Sequence, residues 1–172
     1  NVHGAFRGTA YHRVLELLDF SKDYTEEMIQ GIIADDKSRG MLTAEMASCI
    51  EVKDIMNFLN TPIGKRMKKA SQSNALFAEQ PFVLGVPARE IYHQESEEIV
   101  LVQGIIDVYF EEDDEGLVVL DYKTDKVHNI EELELRYKAQ LEYYAKALEQ
   151  LTGKKVKEKL IYSFTLQELL EV

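Results

Sequence analysis

Two apolar segments flank a tight acidic connection: Gly104-Ile-Ile-Asp-Val-Tyr-Phe110, then Glu112-Asp-Asp-Glu-Gly116, then Leu117-Val-Val-Leu-Asp-Tyr-Lys-Thr124. Both segments are rich in β-branched and aromatic residues and the connection is built of turn formers, a pattern that predicts a β-hairpin. A hairpin centred on Asp114 places Asp107 opposite Asp121. Lys123, two residues on, leaves the strand on the same face as Asp121. Like charges directly opposite one another destabilise a sheet. The surrounding Ile105, Ile106, Val108, Val118, Val119 and Leu120 are apolar on both faces, which predicts burial on both sides. A buried carboxylate must be paired or hold a metal. A single Asp–Lys ion pair accounts for one aspartate, whereas a divalent cation accounts for both.

The rest of the chain frames this hairpin. Its 172 residues form one domain, expected to divide into a helical part, residues 1–74, and a sheet-containing part, residues 75–172. Residues 1–7 read as irregular, followed by a helix from about Ala10 to Phe20 with Tyr11, Val14, Leu15 and Leu18 on one stripe. Asp23 or Thr25 caps a second helix, Gly40 breaks the chain, and Thr43 caps a third running to about Leu59. Thr61-Pro62 starts a fourth. Extended segments follow at Leu76–Val83, Pro87–Tyr92, Ile99–Phe110 and Leu117–Thr124. A long helix spans Ile130–Leu151 and ends at Gly153, and a last strand over Val156–Thr165 should run parallel to its neighbour, because a helix intervenes. The fold class is therefore α/β (α+β): a mixed sheet flanked by helices, with an N-terminal helical region.

Composition excludes several functions. The net charge of −11 argues against a protein that coats nucleic acid through a basic surface. Metal-holding carboxylates contribute to that total, so a nuclease remains compatible with it. The single cysteine, Cys49, leaves no internal disulfide framework and no four-cysteine zinc or iron–sulfur site. No apolar run approaches the roughly 20 residues that span a bilayer, so no membrane association is expected and the cytoplasm is the expected setting. No Gly-x-x-x-x-Gly-Lys-Ser/Thr loop is present, so no ATP site is expected. The chain starts at Asn1 in a motif-like stretch and is read as a fragment of something longer.

Asp107, Asp121 and Lys123 are the strongest candidates for chemistry. Oxygen ligands suit Mg²⁺ or Mn²⁺. Such an ion would polarise a phosphodiester and acidify a bound water. Lys123 would orient or deprotonate that water, or neutralise charge developing on phosphate. His12, in the first turn of its helix, reads equally as a surface or capping residue. Gln140 and Tyr144 are four apart and share a helix face; a glutamine beside an apolar stripe needs a polar partner, while Tyr144 fits the core as well. Tyr137 and Tyr143 read as core or rim. Glu79 is either a further carboxylate near the metal or a solvated residue, and Glu90 is a weaker candidate of the same kind. Lys65, Arg66, Lys68 and Lys69 form a basic cluster that tracks phosphate or is simply a solvated helix face.

Five short motifs occur in order: Gly8-x-x-x-His12-x-x-Leu15-Glu16, Glu79-x-Pro81-Phe82, Gly104-Ile-Ile-Asp107, Asp121-Tyr-Lys123-Thr124 and Gln140-x-x-x-Tyr144. Together they resemble the RecB-type branch of the PD-(D/E)XK nucleases, across about residues 8–165. The resemblance is greatest to the nuclease domains of bacterial AddAB (RexAB) helicase–nucleases, and the lone cysteine separates the chain from iron–sulfur branches. It implies a restriction-endonuclease-like core. It implies that His12, Asp107 and Asp121 ligate Mg²⁺, for which Mn²⁺ substitutes, with help from the Tyr122 carbonyl. Lys123 would be the catalytic lysine, Gln140 and Tyr144 would steady the site or contact DNA, and Glu79 would support it. The family's "PD" is Ile106-Asp107 here. The implied activity is hydrolysis of a DNA strand to leave a 5′-phosphate, during processing of double-strand breaks. The implied partners are single-stranded DNA from an unwound duplex and a second protein of the AddB/RexB type. The alternatives are a free-standing single-strand exonuclease of the same fold, or an inactive module that holds a partner.

Overall fold

The computed structural model describes residues 2–93 and 95–172, with side chains from Gly4 onward. The elements run α1 (Val2–Leu17), α2 (Glu26–Ser38), α3 (Ala44–Ser48), α4 (Val52–Leu59), α5 (Pro62–Gln72), β1 (Leu76–Pro87), α6 (Ala88–Tyr92), β2 (Ile99–Glu111), β3 (Leu117–Lys123), α7 (Glu131–Thr152), β4 (Val156–Ser163) and β5 (Glu168–Glu171). The five strands form one sheet in the order β1-β2-β3-β4-β5. Only β3 and β4 are parallel, joined across α7; the other neighbours are antiparallel.

The hairpin has the expected register. Val108 faces Leu120, Tyr109 faces Val119, Phe110 faces Val118 and Glu111 faces Leu117. Both faces of this central pair are covered. On one side, Val108, Phe110, Val118, Leu120 and Tyr122 pack with Tyr11, Ile29, Ile55, Phe58 and Met67 from the helical layer α1–α5. On the other, Leu117, Val119 and Ile161 pack with Leu133, Leu141 and Leu148 of α7. A parallel β3–β4 pair sandwiched by helices requires this two-sided apolar pattern. Ile105 departs from it and is exposed, because β1 and β2 extend as a ribbon beyond the cover of the helices.

Helix starts follow their side-chain caps. The hydroxyls of Thr25, Thr43 and Thr61 accept from the backbone N–H of Met28, Met46 and Gly64, and Pro62 follows Thr61 at the first helical position. Gly153 ends α7 with φ 72°, a conformation glycine adopts without cost.

Four details differ from the sequence expectation. Residues 2–7, expected to be irregular, are helical, while Asn1 lies outside the described residues. Tertiary contacts outweigh the propensity cost of Gly4 and Gly8: Arg7 donates to the Thr124 carbonyl at 2.8 Å and to Thr165 Oγ1 at 3.0 Å. Gly8 packs so closely that a Cβ there would lie 3.1 Å from Thr124 Oγ1. The single helix expected from Thr43 to Leu59 divides into α3 and α4. At the division the Tyr11 hydroxyl accepts from Glu51 N–H (3.1 Å) and donates to Asp54 Oδ2 (2.9 Å), which satisfies backbone and side chain at the start of α4. The segment expected as a strand over Pro87–Tyr92 is helix α6, entered once the β1–β2 ladder closes at Pro87 and Ile99. Strand β5 is not predicted by the sequence, since Glu168-Leu-Leu-Glu171 is short and made of helix-favouring residues.

Phe58 sits at the centre of the helical-layer core, with ring centroids 4.7–5.6 Å from Tyr122, Tyr162 and Phe164. Phe58→Ala is expected to cost about 3–5 kcal/mol in urea unfolding. Leu135→Ala on the exposed side of α7 should stay within roughly 0.5 kcal/mol of the parent.

Candidate active site

The site begins where the sheet becomes irregular. The β1–β2 register pairs Ala78 with Val108 and Gln80 with Ile106, but no pair forms at Glu79 and Asp107. Glu79 has φ 52°, in the left-handed region that non-glycine residues rarely enter. On a regular strand Val108 and Ile106 would share a face. Here Val108 packs in the helical-layer core and Ile106 in the α7 core. Asp107 lies at this switch, and the β2–β3 ladder also stops one residue short of it.

Released from both ladders, Asp107 spans two elements. Its Oδ2 accepts the backbone N–H of Tyr122 at 2.9 Å, and its Oδ1 lies 3.2 Å from His12 Nδ1 of α1. Asp121 follows on β3 and is 2% exposed. The Lys123 ammonium lies 2.8 Å from Asp121 Oδ2. That contact is an ion pair without hydrogen-bond alignment, so this buried oxygen receives no directed hydrogen bond. Lys123 Nζ instead donates to Gln140 Oε1 of α7 at 3.1 Å, with the Tyr137 ring centroid 3.9 Å away. The Tyr137 hydroxyl donates to Asp125 Oδ2 at 2.6 Å.

The electrostatics divide the two aspartates. Burial drives the Asp121 carboxyl up, the Asp107 charge adds to it, and the result is about 8 against an ordinary 3.8. Burial acts on Asp107 in the same sense, but hydrogen bonds from His12, Asp121 and the Tyr122 amide, with the His12 charge, hold it below its ordinary value. Burial lowers His12; its hydrogen bond to Asp107 and the charges of Asp107 and Asp121 outweigh this and raise it. One carboxylate is thus ionised and its neighbour holds a proton, the usual outcome for two such groups sharing a dry site.

Each sequence candidate now has a place. His12, Asp107, Asp121, Lys123 and Gln140 lie in one contact network. Tyr144 is buried on α7 with its ring edge on Phe82; burial, then the charges of Asp121 and Asp107, push its hydroxyl up, which places it beside them. Glu79 adjoins the network, pushed up to about 7 by burial and then by the charges of Glu16 and Asp107. Tyr122 turns its ring into the helical-layer core and gives its N–H to Asp107. Glu90 is elsewhere, 3.8 Å from Lys146. Most of the basic cluster is engaged: Arg66 with Glu112 and Glu158, Lys68 with Asp23, and Lys69 with Asp113.

Three participants are not among the sequence candidates for chemistry. Glu16 hydrogen-bonds Glu79, and its spacing of four from His12 on α1 is the available signal. Tyr137 and Asp125 form the wall beside Lys123, and only their approach in space reveals it.

Among the described residues no three His, Cys, Asp or Glu side chains are already gathered around one point as a complete metal cage. The chemistry of the donors nonetheless fits a hard divalent cation: two carboxylates and an imidazole in mutual contact, one carboxylate oxygen buried without an aligned donor, and a proton held where a cation would serve.

A family model described as the PD-(D/E)XK nuclease superfamily matches residues 3–169. The chain belongs to that superfamily. It is 45% identical over 173 residues to the A-subunit of the ATP-dependent helicase/nuclease of Thermoanaerobacter sp. strain X514, covering 97% of this chain and 14% of the relative. The protein of the same name from Acetivibrio thermocellus is 43% identical over 167 residues (93% and 13%), and that from Lachnoclostridium phytofermentans 38% over 201 residues (96% and 14%). The chain thus spans about a seventh of the length of these curated relatives.

The state of Asp121 has a measurable consequence. Its folded pKa exceeds the unfolded value, so the folded protein keeps a proton that the unfolded chain releases between roughly pH 4 and 8, and this group's contribution makes stability fall as pH rises through that window. In thermal melts without divalent metal at pH 8, Asp121→Asn is expected to raise the midpoint by at least about 2–4 °C, the change that 1 kcal/mol makes in a domain of this size. Added Mg²⁺ should raise the wild-type midpoint and leave Asp121→Asn unmoved.

Proposed function

We propose that this chain is a single Mg²⁺-dependent deoxyribonuclease domain, with residues 1–74 as its helical part and 75–172 as its catalytic core. In this reading it belongs to a bacterial helicase–nuclease that processes double-strand DNA breaks. The observation that carries it is the junction of Asp107, Asp121, Lys123 and Gln140 with His12, drawn from α1, β2, β3 and α7. The names of the relatives support the larger setting, in which a motor unwinds duplex, a second protein of the AddB type joins the parent, and the complex works in the cytoplasm. Among the described residues no helix is long and apolar enough to cross a membrane.

Asp107, Asp121 and His12 would hold the ion, with the Tyr122 carbonyl as a further ligand and Mn²⁺ as a substitute. Bound there, the ion supplies Lewis-acid polarisation of the phosphodiester and a more acidic water. Lys123 is positioned by Gln140 and the face of Tyr137 to orient the attacking water and to offset negative charge on the phosphate oxygens. Water oxygen forms the new bond to phosphorus, the bond to the 3′ oxygen breaks, and the products are a 5′-phosphate and a 3′-hydroxyl. Glu79, titrating near neutrality, is suited to take up or return a proton at the margin of the site. The acidic surface does not oppose this function, because the motor domains of the parent would grip the strand.

Lys123→Ala and Asp121→Ala in the parent complex should each lower the rate of single-strand cleavage by about 10²–10⁴-fold while unwinding continues. Chelation of divalent ions should abolish cleavage. Full nuclease activity in either variant would remove the catalytic assignment.

A further inference from the structure

A cavity of about 270 Å³ adjoins the site on the side of α7, lined by Phe82, Gln103, Gly104, Gln140, Tyr143 and Tyr144. Two of these residues belong to both places. Gln140 holds Lys123, and Tyr144 feels the charges of Asp121 and Asp107. The Phe82 ring lies across Gly104 of the facing strand, where a Cβ would come within 3.1 Å of Cε1, so only glycine lets the ring lie flat there. Its edge meets Tyr144 with centroids 5.3 Å apart.

The remaining lining groups have no work within the fold. Among the described residues, the Tyr143 ring meets no other ring and its hydroxyl makes no hydrogen bond, although α7 leaves it half-buried against the cavity. The Gln103 carboxamide, exposed at the rim, likewise has no partner. An aromatic face with nothing stacked on it, beside an amide that both donates and accepts, fits a planar heterocycle with a polar edge. The volume is just below the roughly 300–1,000 Å³ of pockets that enclose drug-sized molecules, so one such ring fits and a base pair does not.

We propose that this cavity is a nucleobase subsite: the base of a nucleotide beside the scissile phosphate stacks on Tyr143 while Gln103 hydrogen-bonds its edge. The inference rests on the nuclease reading of the adjoining carboxylates. Every base has a π-face, and a glutamine amide can present either its donor or its acceptor, so the subsite tolerates sequence. It does not tolerate pairing. A base within a duplex has both faces stacked and its edge engaged, so the subsite selects an unpaired strand.

The test uses the full-length parent protein on preformed single strands with Mg²⁺, in which one abasic nucleotide is moved stepwise past the cleavage position. In the wild type, one register should be cut about 5- to 150-fold more slowly than the rest, the effect of losing one base–aromatic stack. Tyr143→Ala should cut an intact strand at that slow rate and show no further abasic effect, and Tyr143→Phe should restore both the rate and the abasic sensitivity. Independently, a 5-iodouracil at that register should photocrosslink to Tyr143 in an Asp121→Asn background. No slow register in an active wild type, or unchanged abasic sensitivity in a folded Tyr143→Ala, overturns the subsite. Failure of the wild type to cut any strand with Mg²⁺ or Mn²⁺ overturns the nuclease reading, and the crosslink then decides the subsite alone: absence of a Tyr143 adduct sinks it.

Discussion

The hydrogen bond from the Tyr122 amide to Asp107 Oδ2 fixes how the rest of the site is arranged. Beyond Val108 and Leu120 the β2–β3 ladder has ended, yet β3 continues, buried, alongside β4 to Lys123. An N–H left unpaired at that depth would cost about as much as a lost hydrogen bond. The Asp107 carboxylate takes the place of the missing strand carbonyl. One aspartate thus completes the backbone accounting of β3 while its other oxygen faces His12, and the separation of the strands leaves room between the two acidic side chains.

The electrostatic consequence follows from packing on both faces. With helices over each side of β3, Asp121 has almost no solvent with which to share its charge. Its neighbour Asp107 is kept ionised by three hydrogen bonds, so Asp121 responds by holding a proton. Lys123 offsets this incompletely, because its ammonium is shared with Gln140 and drawn over the Tyr137 face. The left-handed turn at Glu79 costs about 1–3 kcal/mol. It is sustained because the β1–β2 ladder resumes on either side, and it is the step that moves the strand's faces across at Asp107.

Residues within the hairpin were readable from sequence because pairing across a short turn is a local relation. Period-two alternation and the centre of the turn place Asp107 against Asp121, and the observed register agrees. The threonine caps and Pro62 were readable for the same reason, since each acts within one helical turn. His12 was not. No spacing rule connects the first turns of α1 to β2; only the fold brings Nδ1 to 3.2 Å of Asp107. The family motif suggested the encounter, whereas composition and periodicity left it open. The division between α3 and α4 was hidden likewise, because the Tyr11 hydroxyl that caps the break comes from a distant helix. Tyr137 shows the converse. Its place on the apolar stripe of α7 concealed a polar task, since an aromatic ring serves as core filler and as a cradle for an ammonium with the same sequence signature.

α7 is what joins hydrophobic packing to chemistry. Leu133, Leu141 and Leu148 anchor it on the sheet, and their spacing sets its rotation. That rotation in turn determines which way Tyr137, Gln140, Tyr143 and Tyr144 point. Tyr137 and Gln140 reach Lys123, while Gln140, Tyr143 and Tyr144 line the adjoining cavity. A change that rolled the helix by one residue would remove the lysine's acceptor and the stacking face together. The helix is therefore held by apolar contacts over three turns rather than by the polar groups it presents, and the polar groups stay free to engage a substrate. Burial supplies rigidity here, and the unpartnered side chains at its margin supply recognition.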